Sequence, residues 1–188
     1  MQHVQQLVEL AREHREKGEQ QAAEHLLRQA SESDPTPRSS VILGDFLIET
    51  SFPEEAEKVF SRLLAGDPDN PDYLVRLARC LAQQERFAAA CRTLAKGLDL
   101  QPLHGEGLRL LIEIGFSANK TDSVQRHLEG LAESHALSPE PFLNLSTLHE
   151  HEGRLDEAAR VLARGLKGSP GHPLLLNSLG IINYKKNR

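Results

Sequence analysis

The side chains best suited to chemistry are clustered at His149, Glu150, His151 and Glu152. Zinc proteases place two histidines at i and i+4, so that both imidazoles lie on one helix face; a spacing of i and i+2 sends them to different sides. The cluster is therefore read as a solvated helix end. Cys80 and Cys91 are the only two cysteines, too few for a disulfide framework or a four-ligand zinc site, and are read as small buried thiols. Glu54, Glu55 and Glu57 suit an exposed helix face. The sequence carries no glycine-rich phosphate loop, nucleophile elbow or Cys-x-x-Cys, and its glycines fall at helix breaks and ends. The expectation is a chain with no catalytic residues, no metal site and no cofactor.

The 188 residues leave room for one ordinary domain or one short repeat array. Aromatic residues make up 4% and Trp is absent, while Leu, Ala, Glu, Arg and Gln are plentiful, which favours helices over strands. Lys and Arg total 22 against 27 for Asp and Glu, a formal net charge of −5 without a dense basic block, so nucleic-acid binding lacks its electrostatic footprint. Met1 to Leu10 hold no basic segment followed by an apolar run, and no window has the length of a membrane span. A soluble, cytoplasmic location is expected.

The elements that position these side chains follow a fixed period. Leu10, Leu43, Leu77, Leu111, Leu145 and Leu179 are separated by 33, 34, 34, 34 and 34 residues. Two further series run in phase: Ala23, Ala56, Ala90, Val124 and Ala158, then Leu27, Phe60, Leu94, Leu128 and Leu162. A fourth, Pro35, Pro68, Pro102 and Pro170, is interrupted by Ala136 and suits the loops between units. The units begin at Val4, Pro37, Pro71, Gly105 and Pro139, and a half unit begins at Pro173. This gives one domain over 1–188, with repeats at 4–36, 37–70, 71–104, 105–138 and 139–172 and a half repeat at 173–188.

Within a unit, small or apolar residues occupy positions 4, 7, 8 and 11, the stripe of an amphipathic helix; Leu74, Leu77, Ala78 and Leu81 show it well. A break near position 15, Gly18 in the first unit and Gly153 in the fifth, precedes a second helix with apolar positions 20, 24 and 27. Asn70, Ser138 and His172 each precede a proline placed where a helix tolerates it, at its first residue. Each unit is a predicted helical hairpin.

This spacing resembles the tetratricopeptide repeat, a helix-turn-helix unit of 34 residues. Leu7, Leu10, Ala11, Gly18, Ala23, Leu27, Ala30 and Pro35 stand at the family's signature places in the first unit, and Phe142, Leu145, Gly153, Ala158, Leu162 and Pro170 in the fifth. The resemblance implies an all-α, right-handed superhelical solenoid of five repeats plus a C-terminal half repeat. The fourth unit departs from it, with Ile112, Val124 and Ala136 where small residues and proline are usual, so an irregular hairpin is expected there. His14 and His149 stand where the family favours Tyr and are read as helix-packing residues.

In proteins of this resemblance, positions 2, 5, 9 and 12 of each first helix line a concave groove. The candidate partner-binding residues are Val8, Arg12, Val41, Asp45, Ile48, Val75, Arg79, Arg109, Glu113, Phe116, Leu143 and Thr147. Facing solvent, Val41, Ile48, Val75 and Phe116 would form an apolar patch fit for an extended peptide or an amphipathic helix. The alternative is that neighbouring first helices cover them. The family's clamp of Lys, Asn and Arg for chaperone C-termini is largely absent, since its places hold Val8, Arg12, Val75 and Arg79.

The expected function is a non-catalytic adaptor, scaffold or assembly factor that binds a protein or peptide, without nucleic-acid binding or membrane insertion. The alternative is an N-terminal repeat segment that recruits or regulates within a larger enzyme or a secretion or envelope-assembly protein. The last helix, with Leu174, Leu175, Leu176, Leu179, Ile181, Ile182 and Tyr184, has no second helix after it, so either another copy covers it by self-association or a further hairpin follows.

Overall fold

The computed structural model describes residues 2–33 and 37–187. Pro35 lies outside these. The described residues form eleven helices and no strand: α1 (Gln2–Glu16), α2 (Gln20–Ser33), α3 (Pro37–Glu49), α4 (Pro53–Gly66), α5 (Pro71–Gln83), α6 (Phe87–Leu100), α7 (Gly105–Ser117), α8 (Thr121–Ser134), α9 (Pro139–His151), α10 (Leu155–Gly168) and α11 (Pro173–Lys186). The helices α3, α5, α7, α9 and α11 start at the residues where the units begin by sequence. Pro37, Pro71, Pro139 and Pro173 open four of them, a place where the missing amide hydrogen has no intrahelical partner to lose.

Every hairpin turns in the same way. Residue 15 of each unit, Gly18, Ser51, Glu85, Asn119 and Gly153, has a positive φ between 54° and 78°. The amide of the following residue then reaches back to the carbonyl five residues earlier, from Glu19 to His14, Phe52 to Leu47, Arg86 to Leu81, Lys120 to Gly115 and Arg154 to His149. This Schellman closure satisfies carbonyls that a helix end leaves open and reverses the chain in three residues.

Contacts cluster the chain into two compact units, residues 1–100 and 101–188. In the first, consecutive helices from α1 to α6 pack pairwise, and α3 also meets α5. Its core joins Leu7, Ala11, Ala23, Leu27, Leu43, Phe46, Leu47, Ala56 and Phe60. Small residues set how close the helices of a hairpin approach: a Cβ added at Gly44 would come within 2.5 Å of the Phe60 ring. In the second, α7 to α11 pack pairwise, with α9 touching both α7 and α11. The α7–α8 pairing is the loosest of the five hairpins, as the irregular fourth unit leads one to expect. Its sizes are redistributed: Val124 replaces the usual alanine, and Gly115 makes room for it, since a Cβ there would lie 2.5 Å from Val124 Cγ2.

A further buried series lies outside the 4, 7, 8, 11 pattern. Position 10 holds Phe46, Cys80, Ile114, Leu148 and Ile182, all buried. In α3, α5, α9 and α11 this position belongs to the helix that packs on the preceding second helix. The first unit has Glu13 at that place, exposed. Cys80 is thus a core residue, and its burial pushes the thiol up to about 12, with Glu57 adding to the effect.

Candidate functional site

The proposed groove residues all lie on first helices, yet their exposure differs from the expectation of an apolar floor open to solvent. In residues 1–100, Val8 and Ile48 are each only 8% exposed and Val75 is fully buried, with Gly97 of α6 beside it. Val41 is half-buried. The physical reason is that α3 packs on α2, α4 and α5, and α5 on α3, α4 and α6, so the apolar arc of each is wider than one stripe, while Val8 joins the core cluster that holds Phe46, Leu47 and Ile48 of α3. Position 7 shows the opposite deviation in the first unit, where Leu10 is 44% exposed.

What the first-helix face of residues 1–100 offers to solvent is mainly charge. Arg12 pairs with Glu9 at 3.2 Å, Arg15 with Glu49 at 2.8 Å, and Arg76 Nε donates to Asp45 Oδ1 at 2.8 Å. Arg79 is half-buried beside them in sequence register. A shallow hollow of about 170 Å³ opens between α1 and α3, rimmed by Arg12, Arg15, Asp45 and Glu49 and floored by Ala11, Ile42 and Phe46. Alternating cations and anions around an apolar floor suit a polypeptide better than a polyanion.

In residues 101–188, Arg109, Glu113 and Thr147 are exposed and Leu143 is half-buried. Thr147 Oγ1 donates to the Leu143 carbonyl at 3.0 Å. Phe116 is 37% exposed, and its ring packs against His151 at 5.4 Å between centroids, tilted by 51°. Phe116 is therefore an exposed aromatic among the proposed groove residues, held in place by a neighbouring ring.

The histidine and glutamate cluster is dispersed by the fold. His149 is buried, His151 lies on Phe116, Glu150 pairs with Lys185 and Glu152 with Arg154. Burial holds the His149 imidazole below its usual range, and the Arg154 charge adds to that. Its Nδ1 has no hydrogen-bond partner. Among the described residues, no three His, Cys, Asp or Glu side chains are gathered so that they could hold a metal ion. No described helix is long and apolar enough to cross a membrane.

Comparison with known proteins places this geometry. A family model described as "Tetratricopeptide repeat" matches residues 47–111. A TPR repeat-containing protein of Pseudomonas aeruginosa is 26% identical over 152 residues, covering 77% of this chain and 25% of that protein. The chain thus spans about a quarter of the length of this relative. Among solved structures, a thermophilic TPR protein of Thermus thermophilus aligns with a TM-score of 0.62 at 18% identity, over 96% of this chain and 99% of the other. YrrB, a TPR protein with an unusual peptide-binding site, aligns with a TM-score of 0.52 at 17% identity, over 92% and 89%. At such identities the likeness shows the fold. The repeat period, the five hairpins and these matches together support the assignment of the chain to the tetratricopeptide-repeat family.

Proposed function

We propose that the chain is a non-catalytic, cytoplasmic protein-binding module, an adaptor or scaffold that uses the exposed faces of its first helices to hold a peptide or helix of a partner protein. The observation that carries this reading is the face of α1, α3 and α5. There Arg12, Arg15, Asp45 and Glu49 surround an apolar hollow and are held in ion pairs, so that little ordering is left for a partner to impose. Support by analogy comes from YrrB, whose tetratricopeptide fold carries a peptide-binding site. Burial of Val8, Ile48 and Val75 makes them supports of this surface, whereas Arg12, Val41, Asp45 and Arg79 make the contacts. Arg109, Glu113, Phe116, Leu143 and Thr147 form the corresponding surface of residues 101–188.

The test is affinity capture from the source cell extract with three chains of equal helicity: wild type, Arg12→Glu with Val41→Arg, and Arg109→Glu with Phe116→Ser. A partner held by the wild type and lost by either variant supports the reading and says which surface is used. Retention by both variants overturns it. Val75→Arg is unsuitable, because it would bury a charge and unfold the helix pair.

A second reading is favoured by one observation: the Pseudomonas relative is about four times as long as the matched stretch. On that reading the repeats recruit or regulate within a larger protein, and the natural reading frame around the 188 codons decides it.

A further inference from the structure

The hollow between α1 and α3 has a wall of each sign, Arg12 and Arg15 on α1 against Asp45 and Glu49 on α3, above a floor of Ala11, Ile42 and Phe46. Its volume of about 170 Å³ lies below the roughly 300–1,000 Å³ of small-molecule sites. It suits one large side chain, lowered onto the floor by a polypeptide that runs over the rim.

The ion pairs around that rim are not equivalent. Arg76 of α5 donates to Asp45 at 2.8 Å with only 21% of its side chain exposed, so this carboxylate is engaged by a neighbouring helix. Arg15 reaches Glu49 at 2.8 Å and ties α1 to α3. Arg12 pairs with Glu9, one turn away on its own helix, at 3.2 Å, and both side chains are more than half exposed. Exchanging Glu9 for a carboxylate from outside breaks no contact between helices, and a solvated pair of this kind holds its members weakly. A basic side chain over the hollow would instead have to draw Asp45 or Glu49 away from an arginine that links helices, and would lie against Arg12 and Arg15. The rim therefore favours a ligand carboxylate and discriminates against a ligand cation.

We propose that the hollow takes a large aliphatic or aromatic side chain of a partner polypeptide, and that an Asp or Glu within a few residues of that anchor pairs with Arg12 in place of Glu9. This inference rests on the adaptor reading above and names the chemistry of its ligand: an acidic segment with one apolar anchor. The anchor supplies burial, and the carboxylate fixes its register on α1.

The test is selection of random dodecapeptides, displayed without a free C-terminus, on the immobilised full chain. Enriched peptides are then made with amidated ends and titrated by fluorescence anisotropy. The expected consensus is a large apolar residue with Asp or Glu within three positions. Binding should fall at least tenfold when the anchor becomes Ser, when the acid becomes Lys, and when the chain carries Arg12→Glu. Arg12 is exposed, so this variant keeps the wild-type helicity, which circular dichroism verifies. The Lys peptide should regain affinity for the Arg12→Glu chain, a charge-swap rescue that loss of structure would not produce. A consensus without acid, affinity indifferent to Arg12→Glu, or no enrichment overturns the proposal. The adaptor reading is judged separately by affinity capture: a partner released only by Arg109→Glu with Phe116→Ser leaves that reading standing and removes this ligand, whereas a partner retained by both variants removes the reading itself.

Discussion

Single residues govern the hairpin turns, and two of them do so at a cost. Glu85 and Ser51 adopt positive φ of 59° and 65°, where a Cβ crowds the following carbonyl. Gly18 and Gly153 hold the same place in other units without that crowding. Glu85→Gly is therefore expected to stabilise the fold by about 0.5–1 kcal/mol, the relief of strain exceeding the entropy that glycine adds to the unfolded chain. Thermal unfolding monitored by circular dichroism checks it, and a lower midpoint than wild type would contradict it. His149 makes a second prediction at this scale. Its folded-state pKa is lowered by burial and by Arg154, so the unfolded chain binds the proton more tightly. Its contribution is fully present above about pH 6.5, the unfolded value, and is lost as pH falls through the folded one. Denaturant midpoints should drop between about pH 7.5 and pH 5, and His149→Leu should flatten that part of the profile. An unchanged slope in the variant would remove His149 as the cause.

At the scale of elements, helix starts are fixed by local chemistry that acts independently of the stack. Asn70 accepts a hydrogen bond from the Tyr73 amide at 3.2 Å and precedes Pro71, so Asn70→Ala should cost about 1 kcal/mol while leaving the α5 boundary in place through the proline. Amide exchange in the first turn of α5 reads the loss. Such signals are short-range, which is why the helix starts at Pro71, Pro139 and Pro173 were legible in the residues around them, whereas those at Pro37 and Gly105 followed from the repeat period. His104 was not anticipated as a cap, although its Nδ1 accepts from the Gly107 amide at 3.1 Å, because histidine rarely signals one. Exposure along the first helices was less legible. Position 5 was read as the apolar floor of a groove open to solvent, yet Val8 and Val75 are buried, Val8 in the cluster with Phe46 and Ile48 and Val75 on a helix that packs on α3, α4 and α6. The missing signal was in plain view: Phe46, Cys80, Ile114, Leu148 and Ile182 recur every 34 residues, but as four residue types, so the series looks less regular than the leucines.

At the scale of the whole molecule, the arrangement of neighbours decides how damage spreads. Within residues 1–100 and within residues 101–188, each helix packs on those next to it in sequence, with α3–α5, α7–α9 and α9–α11 as further pairings. In such an array, stability is close to a sum of repeat terms and nearest-neighbour interfaces. Leu145 is fully buried in α9, which touches α7, α8, α10 and α11. Leu145→Ala removes about 2–5 kcal/mol of packing from those interfaces. None of those partners belongs to residues 1–100. Hydrogen exchange should therefore quicken in α8, α9 and α10 by the full amount and remain at the wild-type rate in α1 to α4, since local opening is governed by the contacts that each element makes. Phe60→Ala, which empties the place beside Gly44, should give the mirror image, with α2 to α5 loosened and α9 to α11 untouched. A uniform loss of protection along the chain in either variant would mean that all eleven helices unfold as one cooperative body, and the nearest-neighbour account would fall.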